Sequence, residues 1–188
     1  SGVPAAIGYA GEVKQNIELG IIRNHYVGRT FIEPTQQIRS LGVKLKHSIN
    51  KTLIKNKSLI LIDDSLVRGT TSVKIIKMLY ESGAKEVHLR IASPPIKYPD
   101  YYGINTPTKD ELLASKLNLE EMRKFINATT LQFLSIDGLY KSMGYEKRNT
   151  LYPQFTDHCF TGDYPIEPID ANIKNFSGEE LSFLSSKL

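Results

Sequence analysis

Two adjacent carboxylates followed by a run of hydroxyl side chains are the residues in this sequence best suited to chemistry. Asp63 and Asp64 precede Ser65, and the stretch Arg68–Ser72 adds a basic side chain, a glycine and three more hydroxyls. Paired carboxylates can accept hydrogen bonds from a sugar diol or hold Mg²⁺. A glycine lets the backbone approach an anion closely. The segment therefore predicts a phosphate-binding loop beside a diol-binding or magnesium-binding pair of acids.

A strand before this segment and a helix after it must hold these residues in place. Leu59–Ile62 is a short continuous apolar run, which is typical of a strand covered on both faces in a parallel sheet. Open α/β sheets bind ligands at the carboxyl ends of such strands. Apolar residues then recur at helical spacing, and Gly83 is the expected helix end; these residues are Val73, Ile76, Leu79 and Tyr80.

Two common phosphate loops are excluded by their patterns. The chain contains neither G-x-x-x-x-G-K-[ST], which binds nucleoside triphosphates, nor G-x-G-x-x-G, which binds dinucleotides. The alternative without a ligand is that Asp63–Ser65 forms only a polar turn that caps the following helix.

The remaining segments favour alternating strands and helices. Pro4 suits the first turn of a helix with Ala5, Ala6, Ile7 and Ala10 as packing residues. Glu86–Ala92 alternates apolar and polar residues and predicts a strand beside Leu59–Ile62. Capping boxes at Thr108 and Asn118 predict two helices whose apolar positions are Leu112, Leu113, Leu119, Met122 and Phe125. A strand over Leu131–Leu134 and a helix over Ile136–Met143, capped by Ser135 and ended by Gly144, complete the prediction.

Composition limits the classes of protein. The 188 residues suit one domain, and a net charge of +4 on scattered basic residues favours local anion sites over a nucleic-acid surface. One cysteine allows no internal disulfide, and the sequence shows neither a long apolar span nor a signal-peptide pattern. These features predict a soluble cytoplasmic protein without a membrane or nucleic-acid partner.

Several motifs resemble one family in combination. Ile62–Ser72, which reads IDDSLVRGTTS, looks like the phosphoribosyl pyrophosphate (PRPP) motif of type I phosphoribosyltransferases. Further segments narrow the resemblance to the glutamine PRPP amidotransferases: Gly20–Gln36, Gly83–His88, Arg90–Pro95, Tyr102–Gly103 and Cys159–Pro165.

The resemblance implies an α/β fold of the type I phosphoribosyltransferase kind, with a largely parallel sheet flanked by helices. It extends over residues 1–165 and starts within the family's phosphoribosyltransferase domain, so we expect a domain truncated at its N-terminal side. Residues 166–188 are then expected to form a peripheral tail, and the family's glutaminase domain is expected to be absent.

The implied activity is transfer of the phosphoribosyl group of PRPP to ammonia, giving phosphoribosylamine and pyrophosphate. Asp63 and Asp64 would bind the ribose diol and Mg²⁺, with Ser1 as a further metal ligand or, alternatively, a simple N-cap. The 5′-phosphate would lie against Ser65, Arg68, Gly69, Thr70, Thr71 and Ser72. A catalytic lid over residues 20–40 would use Arg23, Tyr26 and Arg29. The family usually has lysine at Arg23 and a basic residue at His25.

The resemblance also bears on cofactors. Some family members carry an iron–sulfur cluster held by cysteines, and such clusters need four thiolates. At the matching positions this chain has Asp100, Thr156 and Cys159, so Mg²⁺ is expected and an iron–sulfur cluster is not. Cys159 is interpreted as an ordinary free thiol.

Two other functions stay open at this point. The chain could be a non-catalytic PRPP-binding or nucleotide-binding relative, or a phosphoribosyltransferase that uses a free base. Partners implied by the family are PRPP, ammonia and purine nucleotides as feedback inhibitors, together with a second copy of the chain or a separate glutaminase fragment.

Overall fold

The computed structural model describes residues 2–24, 47–104, 106 and 108–166. Expectations placed on Ser1, Tyr26, Arg29 and the tail from residue 167 lie outside these ranges. The described strands are β1 Ile21–Arg23, β2 His47–Ile49, β3 Ser58–Asp63, β4 Glu86–Ile91 and β5 Thr130–Phe133. The helices are α1 Val3–Glu12, α2 Lys51–Ile54, α3 Thr70–Glu81, α4 Leu113–Lys116, α5 Leu119–Ile126, α6 Ile136–Ser142 and α7 His158–Thr161, with a 3₁₀ turn at Lys109–Glu111.

Three parallel strands form the central sheet of the described part, in the order β3-β4-β5. Asp63 pairs in register with Ile91, and Ile91 pairs with Phe133. The carboxyl ends of all three strands therefore meet at one edge. A second, two-stranded ladder joins β1 and β2 in antiparallel orientation. This α/β architecture agrees with the predicted fold class.

The two faces of the parallel sheet differ in polarity. Side chains alternate along a strand, so Leu59, Leu61, Val87, Leu89 and Leu131 share one face, which packs into the core. The opposite face carries Ser58, Ile60, Glu86, His88, Arg90 and Thr130, which are linked largely by hydrogen bonds. Ile60 is 49% exposed, so the prediction that Leu59–Ile62 is covered on both faces is wrong. Leu59 and Leu61 pack against the core, whereas no described element buries Ile60 on the other face.

Two helices cover the core face. Ile76 and Leu79 of α3 are at most 1% exposed, and Met122 and Ile126 of α5 belong to the same hydrophobic cluster. Gly83 follows α3 with a φ of 91°, so the predicted helix end is confirmed. Both predicted capping boxes are present, at Thr108 and Asn118, although the first begins a 3₁₀ turn before the single turn of α4.

Some predicted packing positions face solvent instead. Ile7 of α1 is 58% exposed, and Leu119 and Phe125 of α5 are 42% and 49% exposed. These assignments were wrong because α1 lies beside β3 with no buried residue, and α5 buries only the stripe that includes Met122 and Ile126. No helix in the described ranges is long and apolar enough to cross a membrane.

A buried ion pair holds the segment after β5 together. Arg148 donates to Asp157 through Nε at 2.6 Å and to Asp163 through Nη2 at 2.6 Å. The hydroxyl of the fully buried Tyr140 donates to Asp157 at 2.9 Å. Burial alone would raise the pKa of Asp157, but the hydrogen bonds from Arg148, Tyr140 and Thr161 outweigh it and hold the pKa below its usual value.

We expect Arg148→Met to lower the free energy of unfolding by about 3–5 kcal/mol, because it leaves the Asp157 carboxylate buried without its cation. A depressed carboxyl pKa contributes stability above the unfolded-state pKa, and this contribution is lost as the pH falls through the folded-state pKa. The deficit of the variant should therefore be present at neutral pH and shrink in strong acid. Urea denaturation at several pH values measures it.

Lys124→Met is the matched control, because Lys124 and Glu120 form a pair whose side chains are 68% and 58% exposed. An exposed pair contributes about 0–1 kcal/mol. Equal losses of stability in the two variants would contradict a structural role for the Arg148 network.

Candidate active site

The strand alternation of β3 places Asp63 at the edge of the core. Asp63 lies on the same face of the sheet as Leu59 and Leu61. Its paired residue on β4 is Ile91, which is 3% exposed. The backbone N–H of Asp64 donates to Asp63 Oδ1 at 3.0 Å. Burial is the main reason that the pKa of Asp63 is raised, and the neighbouring charge of Asp64 adds to it. No donor among the described residues binds the second oxygen of this carboxylate, so that oxygen can accept a hydrogen bond from a ligand.

Asp64 and Ser65 continue from the strand into the loop. Ser65 Oγ donates to Asp64 Oδ1 at 3.2 Å. Both residues are partly exposed. Asp64 follows the last residue of β3, and its carboxyl group interacts directly with that of Asp63. A ligand above the end of β3 therefore meets two neighbouring carboxylates.

The loop is anchored to the segment around Glu111 by backbone and side-chain contacts. Leu66 is 2% exposed and belongs to the core. The backbone N–H of Leu113 donates to the carbonyl of Val67 at 2.9 Å. Arg68 Nε donates to Glu111 Oε1 at 3.1 Å, and both of these side chains are 49% exposed. These contacts fix the path of the loop before the helix begins.

Gly69 begins helix α3 in a conformation that favours glycine. Its φ is 75°, and an added Cβ would lie 2.9 Å from Leu113 Cδ2 and 3.1 Å from Phe125 Cε1. No side chain caps the helix, and its first turn contains no acidic residue. The first N–H groups of a helix have no intrahelical partner and carry positive partial charge. The end of α3 formed by Thr70, Thr71 and Ser72 is therefore a suitable place for an anion.

The structure brings most of the predicted ligand-binding residues together. Asp63, Asp64, Ser65 and Arg68–Ser72 run from the end of β3 to the first turn of α3, and within this segment Gly69 and Ser72 are buried. Arg23 is not in a loop as predicted but ends β1, paired in register with His47. Gly2 lies against the end of β3, since an added Cβ would be 2.9 Å from the Ile62 carbonyl oxygen. Ser1, Tyr26 and Arg29 lie outside the described residues.

Sequence reasoning missed the residues that support the loop from a distance. Glu111 was interpreted only as a capping-box residue, which it is, but it also binds Arg68 across 43 positions of the chain. Phe125 was interpreted only as an apolar helix position, and its ring lies against Gly69. No local pattern signals either contact, because both depend on how the 3₁₀ turn at Lys109–Glu111 and α5 fold back over the loop.

The acids at the end of β3 fit the Mg²⁺ that the family implies. Mg²⁺ is bound in proteins by one or two carboxylates with waters and substrate oxygens completing the octahedron. Asp63 and Asp64 supply two such carboxylates, and a bound cation would offset the burial that raises the pKa of Asp63.

A second cluster of polar side chains lies apart from the loop in sequence. His158 Nε2 lies 2.8 Å from Asp100 Oδ2, and both side chains are 4% exposed. Cys159 is the neighbour of His158 in α7, and donor atoms of the three residues lie within 4.8 Å of one another. A carboxylate, an imidazole and a single thiol do not fit an iron–sulfur cluster held by four thiolates.

No protein-family model matches the chain. Individual proteins do match it closely. The chain is 59% identical over 186 residues to an amidophosphoribosyltransferase of Rhizobium etli, covering 98% of this chain and 37% of that protein. It is 49% identical over 167 residues to the Bacillus subtilis amidophosphoribosyltransferase, covering 89% and 35% of the two chains. A chloroplastic relative from Arabidopsis thaliana is 49% identical over 179 residues, with 95% and 31% covered.

Solved structures agree with the sequence comparison. Glutamine PRPP amidotransferase from B. subtilis, complexed with ADP and GMP, superposes with a TM-score of 0.74 at 48% identity. The match covers 87% of this chain and 36% of that one. The chain thus spans about a third of the length of the curated relatives it matches. The resemblance predicted from the motifs is confirmed: across that third, the chain is related in sequence and fold to the amidophosphoribosyltransferases.

Proposed function

We propose that the protein performs the phosphoribosyl-transfer step of an amidophosphoribosyltransferase, moving the phosphoribosyl group of PRPP to ammonia with release of pyrophosphate. In full-length relatives glutamine would supply the ammonia, and the reaction would be the first committed step of purine synthesis. One observation carries the proposal: two carboxylates at the end of β3 lead directly into an uncapped helix N-terminus. This arrangement matches a ligand that has a diol at one end and a phosphate at the other.

The carboxylates are assigned to the sugar. Asp63 and Asp64 would accept hydrogen bonds from the ribose hydroxyls and would hold Mg²⁺, with Ser1 as a further ligand from the adjoining start of the chain. When bound, Mg²⁺ supplies positive charge that stabilises the leaving pyrophosphate. The partial burial of Asp63 strengthens its interaction with both groups, because charges attract more strongly where water is excluded.

The loop and the first turn of α3 are assigned to the 5′-phosphate. Ser65, Thr70, Thr71 and Ser72 offer hydroxyls, and Gly69 has no side chain of its own to keep an anion away from its backbone. Arg68 adds a positive charge at the rim, and its contact with Glu111 uses only Nε, so its terminal nitrogens can reach an oxyanion. Phosphate binding at this end would fix the sugar for in-line departure of pyrophosphate.

The lid over residues 20–40 is assigned to the pyrophosphate. Arg23, Tyr26 and Arg29 would close over PRPP, contact the pyrophosphate and exclude water from the reactive carbon.

Purine nucleotides are proposed as feedback inhibitors on the basis of the B. subtilis relative, which was solved with ADP and GMP. A second copy of the chain or a glutaminase fragment is proposed as the protein partner, and the cytoplasm as the compartment.

The two alternatives differ in what they do with PRPP. A non-catalytic relative would bind PRPP and release no pyrophosphate, whereas a base-using enzyme would release it only with a purine or pyrimidine. Pyrophosphate release, measured with ammonia, glutamine and free bases as separate acceptors, distinguishes them. We expect release with ammonia at alkaline pH, where more of it is unprotonated, and none with free bases.

Arg29→Leu gives the corresponding test of the lid. Contacts made mainly in the closed state stabilise the transition state, so kcat should fall more than KM for PRPP rises. A raised KM with an unchanged kcat would contradict this role.

In the comparison of acceptors, pyrophosphate release with a free base but not with ammonia would overturn the proposed function itself.

Asp63→Asn should separate stability from binding. A raised carboxyl pKa means that the charged form is disfavoured in the folded state, so the stability contributed by this group is lost as the pH rises through the folded-state pKa. Asparagine can still accept the Asp64 N–H. We expect the free energy of unfolding of the variant at pH 8 to be about 0.5–2 kcal/mol higher than that of the wild type. We also expect the variant to bind PRPP·Mg²⁺ at least about tenfold more weakly.

Asp110→Asn removes an exposed carboxylate outside the site and is the control for both measurements. Thermal denaturation and calorimetric titration report the two effects. Unchanged PRPP affinity in both Asp63→Asn and Asp64→Asn would exclude the diol and metal roles.

Gly69→Ala tests the backbone of the phosphate loop. A φ of 75° disfavours any side chain by about 1–2 kcal/mol, and the new methyl would press on Leu113 and Phe125. We expect a loss of stability and weaker binding of inorganic phosphate. Gly8→Ala is the control, because nothing lies within 4 Å of its added Cβ and alanine favours a helix by about 1 kcal/mol. Equal phosphate affinity in Gly69→Ala and the wild type would contradict the assignment of this loop.

A further inference from the structure

Asp100, His158 and Cys159 form a compact group of three different donor types. Asp100 Oδ2 and His158 Nε2 are 2.8 Å apart, and the group including a ring nitrogen and Cys159 Sγ lies within 4.8 Å. His158 is 3% exposed. The group joins two segments of the chain, the one that follows β4 and the one that forms α7.

His158 has an unsatisfied nitrogen. Its Nδ1 is the one buried side-chain nitrogen or oxygen in the described ranges that has no hydrogen-bond partner. Leaving a buried polar atom without a partner costs about 1–3 kcal/mol. Aromatic rings surround the imidazole instead of donors: the centroids of Tyr102 and Tyr164 lie 5.0 and 4.9 Å from it. Protein hydrogen bonds therefore complete only one side of this ring.

The carboxylate of Asp100 is held in a fixed position. Its Oδ1 accepts the backbone N–H groups of Tyr102 and Ile104, both at 2.9 Å. Burial alone would raise the pKa of Asp100, but these two hydrogen bonds and the one from His158 outweigh it and keep the pKa low. The group thus contains a carboxylate that stays ionised at neutral pH, next to an imidazole and a thiol.

We propose that Asp100, His158 and Cys159 bind a single transition-metal dication of the zinc class. Carboxylate oxygen, imidazole nitrogen and thiolate sulfur are the ligands that Zn²⁺ takes in proteins, at about 2.0–2.3 Å. Tetrahedral geometry with those bond lengths separates the ligand atoms by about 3.3–3.6 Å. The 2.8 Å between Asp100 Oδ2 and His158 Nε2 is shorter than this spacing, and the 4.8 Å limit for all three donors is longer. Shifts of about an ångström would therefore form the site. This is a mononuclear site, chemically distinct from a four-thiolate cluster.

The protonation changes on binding follow from the hydrogen bonds. His158 Nε2 lies 2.8 Å from Asp100 Oδ2, so these two atoms can share one ion, which takes the place of the proton between them. The neutral ring then carries its proton on Nδ1. The Cys159 thiol gives its proton to solvent and becomes the thiolate ligand. A bound ion would connect the segment at Asp100 to α7, far in sequence from the carboxylates at the end of β3.

Cobalt provides the direct measurement, because Co²⁺ replaces Zn²⁺ and a thiolate ligand gives a charge-transfer absorption in the near ultraviolet. Protein without a histidine tag is titrated with Co²⁺ in the presence of excess Mg²⁺, which occupies carboxylate sites. We expect one equivalent to bind with that absorption, and Zn²⁺ to displace it. Binding without the absorption, or no binding, would overturn the proposal.

Variants and a wild-type measurement complete the test. Cys159→Ser should abolish the absorption, and Asp100→Asn should weaken binding by at least about tenfold, because it removes the charge of one ligand. His88→Asn, on the polar sheet face, should change neither. Zn²⁺ should also slow alkylation of Cys159 in the wild-type protein, which requires no variant to fold. Alkylation at the same rate with and without Zn²⁺ would count against the site, whatever the outcome of the PRPP experiments.

Discussion

The alternation of side chains along β3 is the constraint on which the candidate site depends. Leu59 and Leu61 must face the core because α3 and α5 pack there, and this same parity turns Asp63 toward the buried side of the sheet. A shift of one residue would expose the apolar set and bury Ser58 and Ile60 instead. The hydrophobic packing of the sheet therefore sets the direction of a carboxylate, and burial of that carboxylate raises its pKa.

How far the sequence predicts the structure depends on the range of the interactions involved. The parallel strands, the helix over Thr70–Glu81 and the caps at Ser135 and Asn118 were predicted correctly because local periodicity and capping chemistry determine them. The phosphate loop was found for the same reason, since its residues are contiguous. The contacts of Arg68 with Glu111 and of Gly69 with Phe125 were not predicted, because they join residues more than forty positions apart.

Errors in predicted burial have a common physical origin. Helical spacing identifies which residues share a face but not how much of that face another element covers. Ile7 and Phe125 have apolar side chains at plausible core positions, yet both are about half exposed or more. Phe125 is informative because its ring lies against Gly69, so an apolar residue outside the core shapes the loop that begins α3.

Polar groups are buried for different reasons in the two halves of the described chain. Asp157 and Asp100 have several donors each, which lower the pKa of both carboxyls and make the charged form the favourable one. Such networks stabilise the fold around them. Asp63 has one backbone donor and a raised pKa, so its charge is a cost to the free protein. A carboxylate kept in that condition gains most from a ligand that brings a cation and hydroxyl donors, and this links the unfavourable burial of the free carboxylate to the proposed affinity for a metal-bound sugar phosphate.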